Sequence, residues 1–305
     1  MLGYAARRLL LGVAILLFIS VVVFALTNVA VDPAITLAGE GATAADVAAV
    51  RAEYGLDRPV ALRYAAWLAA AARGDFGTSF RQHRPVSEVV LERLPVTMAL
   101  GCAALLVALM LALPLALLGA VRPGGAIDRV ALTVALLGQA TPSFWLALLA
   151  ILLFSVELGW LPASGSTAPV MFVMPALALG FYATPPILRL TRAGLIEVLR
   201  ADFIRAERAK GLRPGRVLVK HALRNAVIPV VSVASVQFGT LLGGSVVIET
   251  IFAMHGIGYL AWEAVSDGDL PVIEALVLVT ACFYVILTLL ADLLNAWLDP
   301  RIRLA

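Results

Sequence analysis

The chain has 305 residues, 62% of them hydrophobic and only 14% charged, with a formal net charge of +3 and a mean hydropathy of +0.97. Soluble domains carry roughly 25% charged residues, and several apolar runs here exceed the ~18 residues that mark a membrane span. A soluble enzyme or a nucleic-acid-binding partner role is therefore excluded, and an all-α polytopic membrane protein is expected. Cys102 and Cys282 lie in apolar runs, and His83, His221 and His255 are far apart, so neither a disulfide framework nor a metal site is expected.

Six spans are predicted, at about 9–29, 96–121, 131–156, 170–188, 226–250 and 274–297. The first has an apolar run of about 20 residues, longer than the 7–15 of a signal peptide, and reads as a retained helix. Segment 30–95 follows, with seven Arg and eight acids. Long loops cross largely regardless of charge, so it is placed outside. Within it Thr43 is expected to cap a helix through Tyr54 that Gly55 ends. Asp57 and Arg58-Pro59 start another, to about Arg73. Its apolar stripe is read as Ala61, Tyr64, Ala65, Leu68 and Ala69. Gly74, Asp75 and Gly77 form a turn.

Pro114, Pro142 and Pro175 fall inside predicted spans, where they should kink helices or mark places where neighbours replace lost bonds. Gln139, Thr141 and Ser143 flank Pro142. A broken helix with exposed polar groups can line a path, and a simple kink is the alternative. Arg7, Arg8, Arg122, Arg129, Arg301 and Arg303 all fall on one side of a six-span arrangement. So do ten basic residues between Arg189 and Arg224, whereas connections 157–169 and 251–273 have no Lys or Arg. The charge asymmetry places both termini in the cytoplasm. The expected organisation is 1–29, an external segment 30–95, and a five-helix core 96–303 with a cytoplasmic loop at about 189–225.

That loop carries RAERAKGLRPGRVLVKHALRNAVIP at 205–229. Ala201–Lys210 reads as a helix, Gly211 as a positive-φ cap, and Pro214 as the first turn of a second helix. Binding of anionic lipid headgroups would explain the charge. A bend that docks on a partner explains the Gly and Pro as well.

The segment resembles the signature loop of permease subunits of ATP-binding-cassette importers: Glu-Ala-Ala, three residues, then Gly. Arg205, Ala206, Glu207 and Gly211 occupy those positions, with the first Glu and second Ala replaced. HALRNAVIP at 221–229, GGSVVIETIF at 243–252, GDFGTSF at 74–80, ATPSFWLAL at 140–148, GWLPASG at 159–165 and DLLNAWLDPRIR at 292–303 resemble the dipeptide, oligopeptide and nickel permease branch. Asn28 to Pro33 depart from that branch's usual turn. The resemblance implies a type I importer permease fold of six transmembrane helices in the bacterial inner membrane. It implies a second homologous permease, two ATPase subunits that bind ATP and Mg, an extracytoplasmic binding protein, and membrane lipid around them. It places Glu207, Arg208, Ala209, Gly211, Leu212 and Arg213 in the ATPase-coupling loop.

No G-x-x-x-x-G-K-[ST] phosphate loop occurs in the chain, so it is not expected to hydrolyse ATP itself. Gly239 and Gly243 form GxxxG, with Gly244 adjacent. Small residues let helices approach closely, either within the chain or at a path or dimer seam. Gln237 and Thr240 on that span, with Gln139 and Ser143, are candidate path residues. Glu249 reads as a gate or a dock for the external binding protein, or equally as a structural hydrogen-bonding group. Asp292 is expected to pair with an Arg. Short peptides are the expected cargo, with nickel or a metal chelate as the alternative. A lone ion-coupled transporter would need a mid-span carboxylate or inverted repeats, and neither is evident.

Overall fold

A computed structural model describes residues 2–30, 32–39, 41–226 and 228–298. The expected basic pair Arg301 and Arg303, and the side chain of Arg208, lie outside the described residues. The described chain is helical throughout, with one isolated bridge, Thr78 to Pro85. Five helices are long and apolar enough to cross a membrane, and a bent pair makes a sixth if counted as one span.

The first helix, α1 (Leu2–Ala25), continues through a π-helical turn at Leu26–Ala30. Three short helices then build a cap segment: α2 (Pro33–Ala38), α3 (Ala44–Glu53) and α4 (Val60–Ala71). The sequence reading missed α2. Its signals are Asp32, whose side chain accepts from the Ala34 amide, and Pro33 at the first helical position. α3 begins as expected, with a reciprocal capping box between Thr43 and Asp46. Hydrogen bonds from the Thr43 hydroxyl and amide hold the Asp46 carboxyl below its ordinary range. On α4 the predicted stripe is only half right. Ala61, Ala65 and Ala69 are exposed, whereas Tyr64 and Trp67 pack on Phe24 of α1 with ring centroids 5.4 Å away.

The central helix α5 (Val86–Val121) has 36 residues, about 54 Å at 1.5 Å per residue. It starts well before the predicted 96, so its first turns stand beyond the ~30 Å hydrocarbon layer. Pro114 lies within it without ending it. The third predicted span is two helices, α6 (Ala126–Ala140) and α7 (Ser143–Ala150), the second extended by π turns to Glu157. They meet at 97° across Thr141-Pro142. Pro142 therefore breaks the span outright. α8 (Val173–Arg200) follows a 3₁₀ turn at Pro169–Phe172. Pro175 sits in the first turn of α8, where no intrahelical bond is lost, so it makes no kink. The helix also outruns its predicted end at 188, which puts Arg189 and Arg192 on α8 rather than in the loop.

Then come α9 (Asp202–Ala209), α10 (Pro214–Arg216), π turns at Val217–Ala222, α11 (Leu223–Ala226), and the long helix α12 (Ile228–Ile251). α13 (Ile257–Asp267) and α14 (Leu270–Leu298) complete the described chain.

The core is built on small residues. α5 buries Ala104, Ala108, Ala112, Ala116 and Ala120, one per four residues, along one face. Gly180 of α8 meets that face so closely that a Cβ there would lie 2.6 Å from the Ala104 carbonyl oxygen. Gly138 of α6 approaches α8 in the same way, with the Phe181 carbonyl oxygen 2.9 Å from where its Cβ would be. Close backbone approach of this kind is how helices pack in lipid, where apolar burial gives no advantage. At the end of the bundle nearest the first residues of the chain, Arg8 reaches Asp292 of α14 at 3.0 Å, the pairing expected for Asp292.

Candidate functional site

The segment between α8 and α12 folds as a bent element anchored on one side and open on the other. Ile204, Val217, Ala222 and Ala226 are buried, and they pack on Ala116 and Ala120 of α5 and Leu195 of α8. Gly211 has φ +78°, a conformation that costs other residues about 1–2 kcal/mol, and open space surrounds its Cα. The backbone bend itself therefore selects glycine. Leu212, half-buried, packs against the anchoring cluster. The exposed side presents Phe203, Arg205, Ala206, Ala209, Lys210 and Arg213. Phe203 gives this side a large exposed apolar side chain. Glu207 pairs with Lys210 at 3.0 Å, and Arg205 with Asp202 at 3.1 Å.

Next to this element an ion pair ties α8 to the start of α6 and the turn before it. Arg192 of α8 grips Asp128 at the start of α6 through both guanidinium branches, Nη2 to Oδ2 at 2.8 Å. The Gly124 amide donates to the same Oδ2 at 2.7 Å. Asp128 is 2% exposed, and the forked geometry satisfies both carboxylate oxygens. Sequence reading missed the pair. An acid inside the apolar face of α6 was the available signal.

The predicted path residues do not gather at one place. Gln139, at the end of α6, accepts a hydrogen bond from Arg189 of α8. Ser143 opens α7 and is partly exposed. Gln237 is partly exposed on α12, and the Thr240 hydroxyl donates to the Gln237 carbonyl at 2.8 Å. Among the described residues no hydrogen bond joins the first pair to the second. The GxxxG motif divides as well. Gly239 is buried against Tyr284 of α14, whose Cδ2 would lie 2.5 Å from an added Cβ. Gly243 and Gly244 are exposed with open space around them. With Val236, Thr240 and Val247 they form an uncovered stripe at helical spacing on α12.

At the opposite end of α12, Glu249 is fully buried. Its Oε1 accepts from the Thr97 hydroxyl of α5 at 2.7 Å, and its Oε2 from the Tyr259 amide at 2.9 Å. Thr97 in turn accepts from the Ile257 amide at 2.9 Å. Gly256 leaves room for the carboxylate, since a Cβ there would lie 2.5 Å from Oε2. The first-turn amides of α13 are thus satisfied by a side chain from another helix. This geometry makes Glu249 a buried link between α12, α5 and α13. Asp269, also buried, accepts from Ser79 and from the Phe80 amide at 3.1 Å. It fastens GDFGTSF to the start of α14.

Two family models together match almost the whole chain. A model of binding-protein-dependent transport system inner membrane components matches residues 100–304, and a model of their N-terminal part matches residues 1–101. The chain belongs to this family of inner-membrane permease subunits. A dipeptide transport system permease of Alkalihalophilus pseudofirmus is 36% identical over 99% of this chain and 100% of its own length. A glutathione transport system permease of Pectobacterium atrosepticum is 39% identical over 99% of each chain. A putative peptide transport system permease of Brucella abortus is 37% identical over 97% of this chain and 98% of its own. Among solved structures, an inward-facing methionine ABC transporter aligns with TM-score 0.58 at 21% identity, covering 69% of this chain and 96% of that one. At that identity the likeness establishes the shared type I importer permease fold. The permease is thus a multi-pass protein of the inner membrane, a transport component of an ATP-binding-cassette importer.

Proposed function

We propose that this permease forms half of a translocation path for short peptides, beside a second homologous permease subunit, and is driven by two ATPase subunits. ATP and Mg bind to those ATPases and not to this chain. Both termini and the basic connections face the cytoplasm, and segment 30–95 faces an extracytoplasmic binding protein. The peptide assignment is supported by the names of the full-length relatives.

The observation that carries this reading is the bend at Gly211. A merely lipid-binding basic patch needs no fixed bend. Here a positive-φ glycine is held out from the bundle by a buried apolar anchor, with Phe203, Ala206, Ala209, Lys210 and Arg213 exposed around it. An anchored bend transmits a push to α5 and α8 when its partner moves. The uncovered stripe of α12 supports the second permease as the neighbour of Thr240, Gly243 and Gly244.

The test is co-purification of the tagged permease from membranes in mild detergent, followed by mass spectrometry and ATP-driven uptake in vesicles. Recovery of a second permease and two ATPases is expected. Gly211→Pro, which forces φ near −65°, should abolish uptake while the complex remains in the membrane. Full ATP-coupled uptake with residues 205–216 replaced by a flexible linker of matched charge sinks the coupling role. Uptake by the lone protein on an ion gradient sinks the importer reading.

A further inference from the structure

A cavity of about 660 Å³ lies within the cap, between Leu37 of α2, Tyr54 just after α3, α4, the GDFGTSF loop and the start of α14. Its volume falls within the roughly 300–1,000 Å³ of small-molecule sites. Neither the coupling bend nor the α12 stripe includes any of its lining residues. Its walls are aromatic: Tyr54, Trp67, Phe76 and Phe80 all line it, and Tyr54 and Phe80 stand edge to face with centroids 6.5 Å apart. His83 at its rim holds φ +52°, a conformation non-glycine residues seldom keep without a reason.

Glu274 of α14 also lines the cavity and is 6% exposed. Its Oε1 takes both hydrogen bonds that reach it, from the Thr27 hydroxyl and from Asn28 Nδ2, the latter at 2.7 Å. Oε2 receives none from any described residue. Arg63 is the nearest cation, but its guanidinium is bonded to Asn28 rather than to the carboxylate. A buried carboxylate oxygen without a donor is costly. At the mouth, Asp75 adds a second carboxylate, one oxygen of which accepts from the Gly77 amide at 2.9 Å.

An aromatic pocket with a half-satisfied acid in its lining fits one ligand chemistry. The faces of the rings attract a cation, and Oε2 supplies the counter-charge and acceptor. A bare metal ion is a poor match: among the described residues no group of three His, Cys, Asp or Glu stands together to hold one. We infer that the cap contains a binding pocket for a small organic ammonium group, with Glu274 as its anchor and the four aromatic side chains as its walls. That chemistry is shared by the α-amino end of a peptide and by a free small amine. In the first case the pocket deepens the proposed function, because it would meet cargo before the membrane path.

The experiment is calorimetric titration of the purified permease complex in lipid nanodiscs without ATP. The probes are dialanine, N-acetyl-dialanine and choline. Saturable binding of dialanine or choline is expected, with N-acetyl-dialanine at least about tenfold weaker. Glu274→Gln keeps an oxygen for Thr27 and Asn28 but turns a donor into the cavity, so it should weaken the ammonium probes about tenfold or more. Phe80→Ala, away from that hydrogen-bonded cluster, should weaken choline as well, and serves if the Gln variant does not assemble. Binding of dialanine alone points to a cargo amino terminus, and binding of choline points to a free small ammonium compound held by charge and ring faces, since its quaternary nitrogen has no N–H to donate to Oε2. Equal binding of the acetylated probe, unchanged affinity in both variants, or no saturable binding of any probe overturns the inference. ATP-driven uptake is read separately, so its persistence alongside absent ammonium binding removes the pocket and leaves the importer assignment standing.

Discussion

Asp128 and Arg192 show how a single side chain can hold the end of a membrane bundle. Asp128 is buried, and the pair is forked and completed by the Gly124 amide. Removing one partner of such a pair leaves the other charged and unmatched. Arg192→Ala is therefore expected to destabilise the permease by about 1–3 kcal/mol, measured as a lower unfolding midpoint in detergent. Arg192→Lys should recover only part of that, because an ammonium cannot bond both carboxylate oxygens in the same plane. Equal stability of Lys and Arg at 192 would show that charge alone suffices. Glu249 is held by a similar logic with neutral donors. Glu249→Ala would strand the Thr97 hydroxyl and the Tyr259 amide in a buried site, at about 1–3 kcal/mol for each unsatisfied group. The identities of these acids are plain in the sequence. Their partners are not, because Thr97 and Glu249, or Asp128 and Arg192, lie on helices whose neighbour relations are set only by the folded bundle.

At the scale of elements, much of the fold was legible. The Thr43 cap, the positive φ of Gly211, and the breaks at Gly55, Gly74 and Gly77 follow from local rules that need no tertiary knowledge. Helix ends were less legible. α5 begins at Val86 and α8 runs to Arg200 because helices continue past the membrane wherever nothing stops them, so hydropathy marks a span and not a helix. Close packing was read in part from sequence: Gly239 does meet Tyr284 closely, but the approach at Gly180 was not foreseen. The alanine ladder of α5 against Gly180 carries it, and not Gly243. Gly180→Val should thus cost about 1–3 kcal/mol through overpacking, seen as reduced folded yield and a lower unfolding midpoint. Gly243→Ala, which meets no atom within 4 Å, should leave both unchanged. The cap helix α3 has a pH signature of its own. Its Asp46 carboxyl sits below its ordinary range through bonds from Thr43. A depressed folded value gives stability above the unfolded pKa that is lost as pH falls through the folded one. Amide exchange in Ala44–Glu53, corrected for its intrinsic rate, should rise on acidification in the native chain and lose that dependence in Asp46→Asn.

For the whole molecule the question is which exposed surface lipid covers and which a protein covers. Phe18 and Leu10 of α1 are 71% and 70% exposed, and Leu106 and Met110 of α5 are also uncovered. Large apolar side chains suit lipid, which takes any apolar shape. The stripe on α12 differs in kind. Thr240, Gly243 and Gly244 present a hydroxyl and bare backbone, which gain little from hydrocarbon and much from a second helix packed against them. That contrast, between large side chains and small ones on equally exposed helices, assigns α12 to the partner permease in the proposed assembly. Gly244→Trp, pointing into open space, should leave the isolated chain folded with its unfolding midpoint unchanged. It should release the second permease during purification and abolish ATP-driven uptake. Gly244→Ala should retain both. A Trp variant that still co-purifies its partner and transports at the native rate would turn this face toward lipid, and the seam would then have to be sought on another helix.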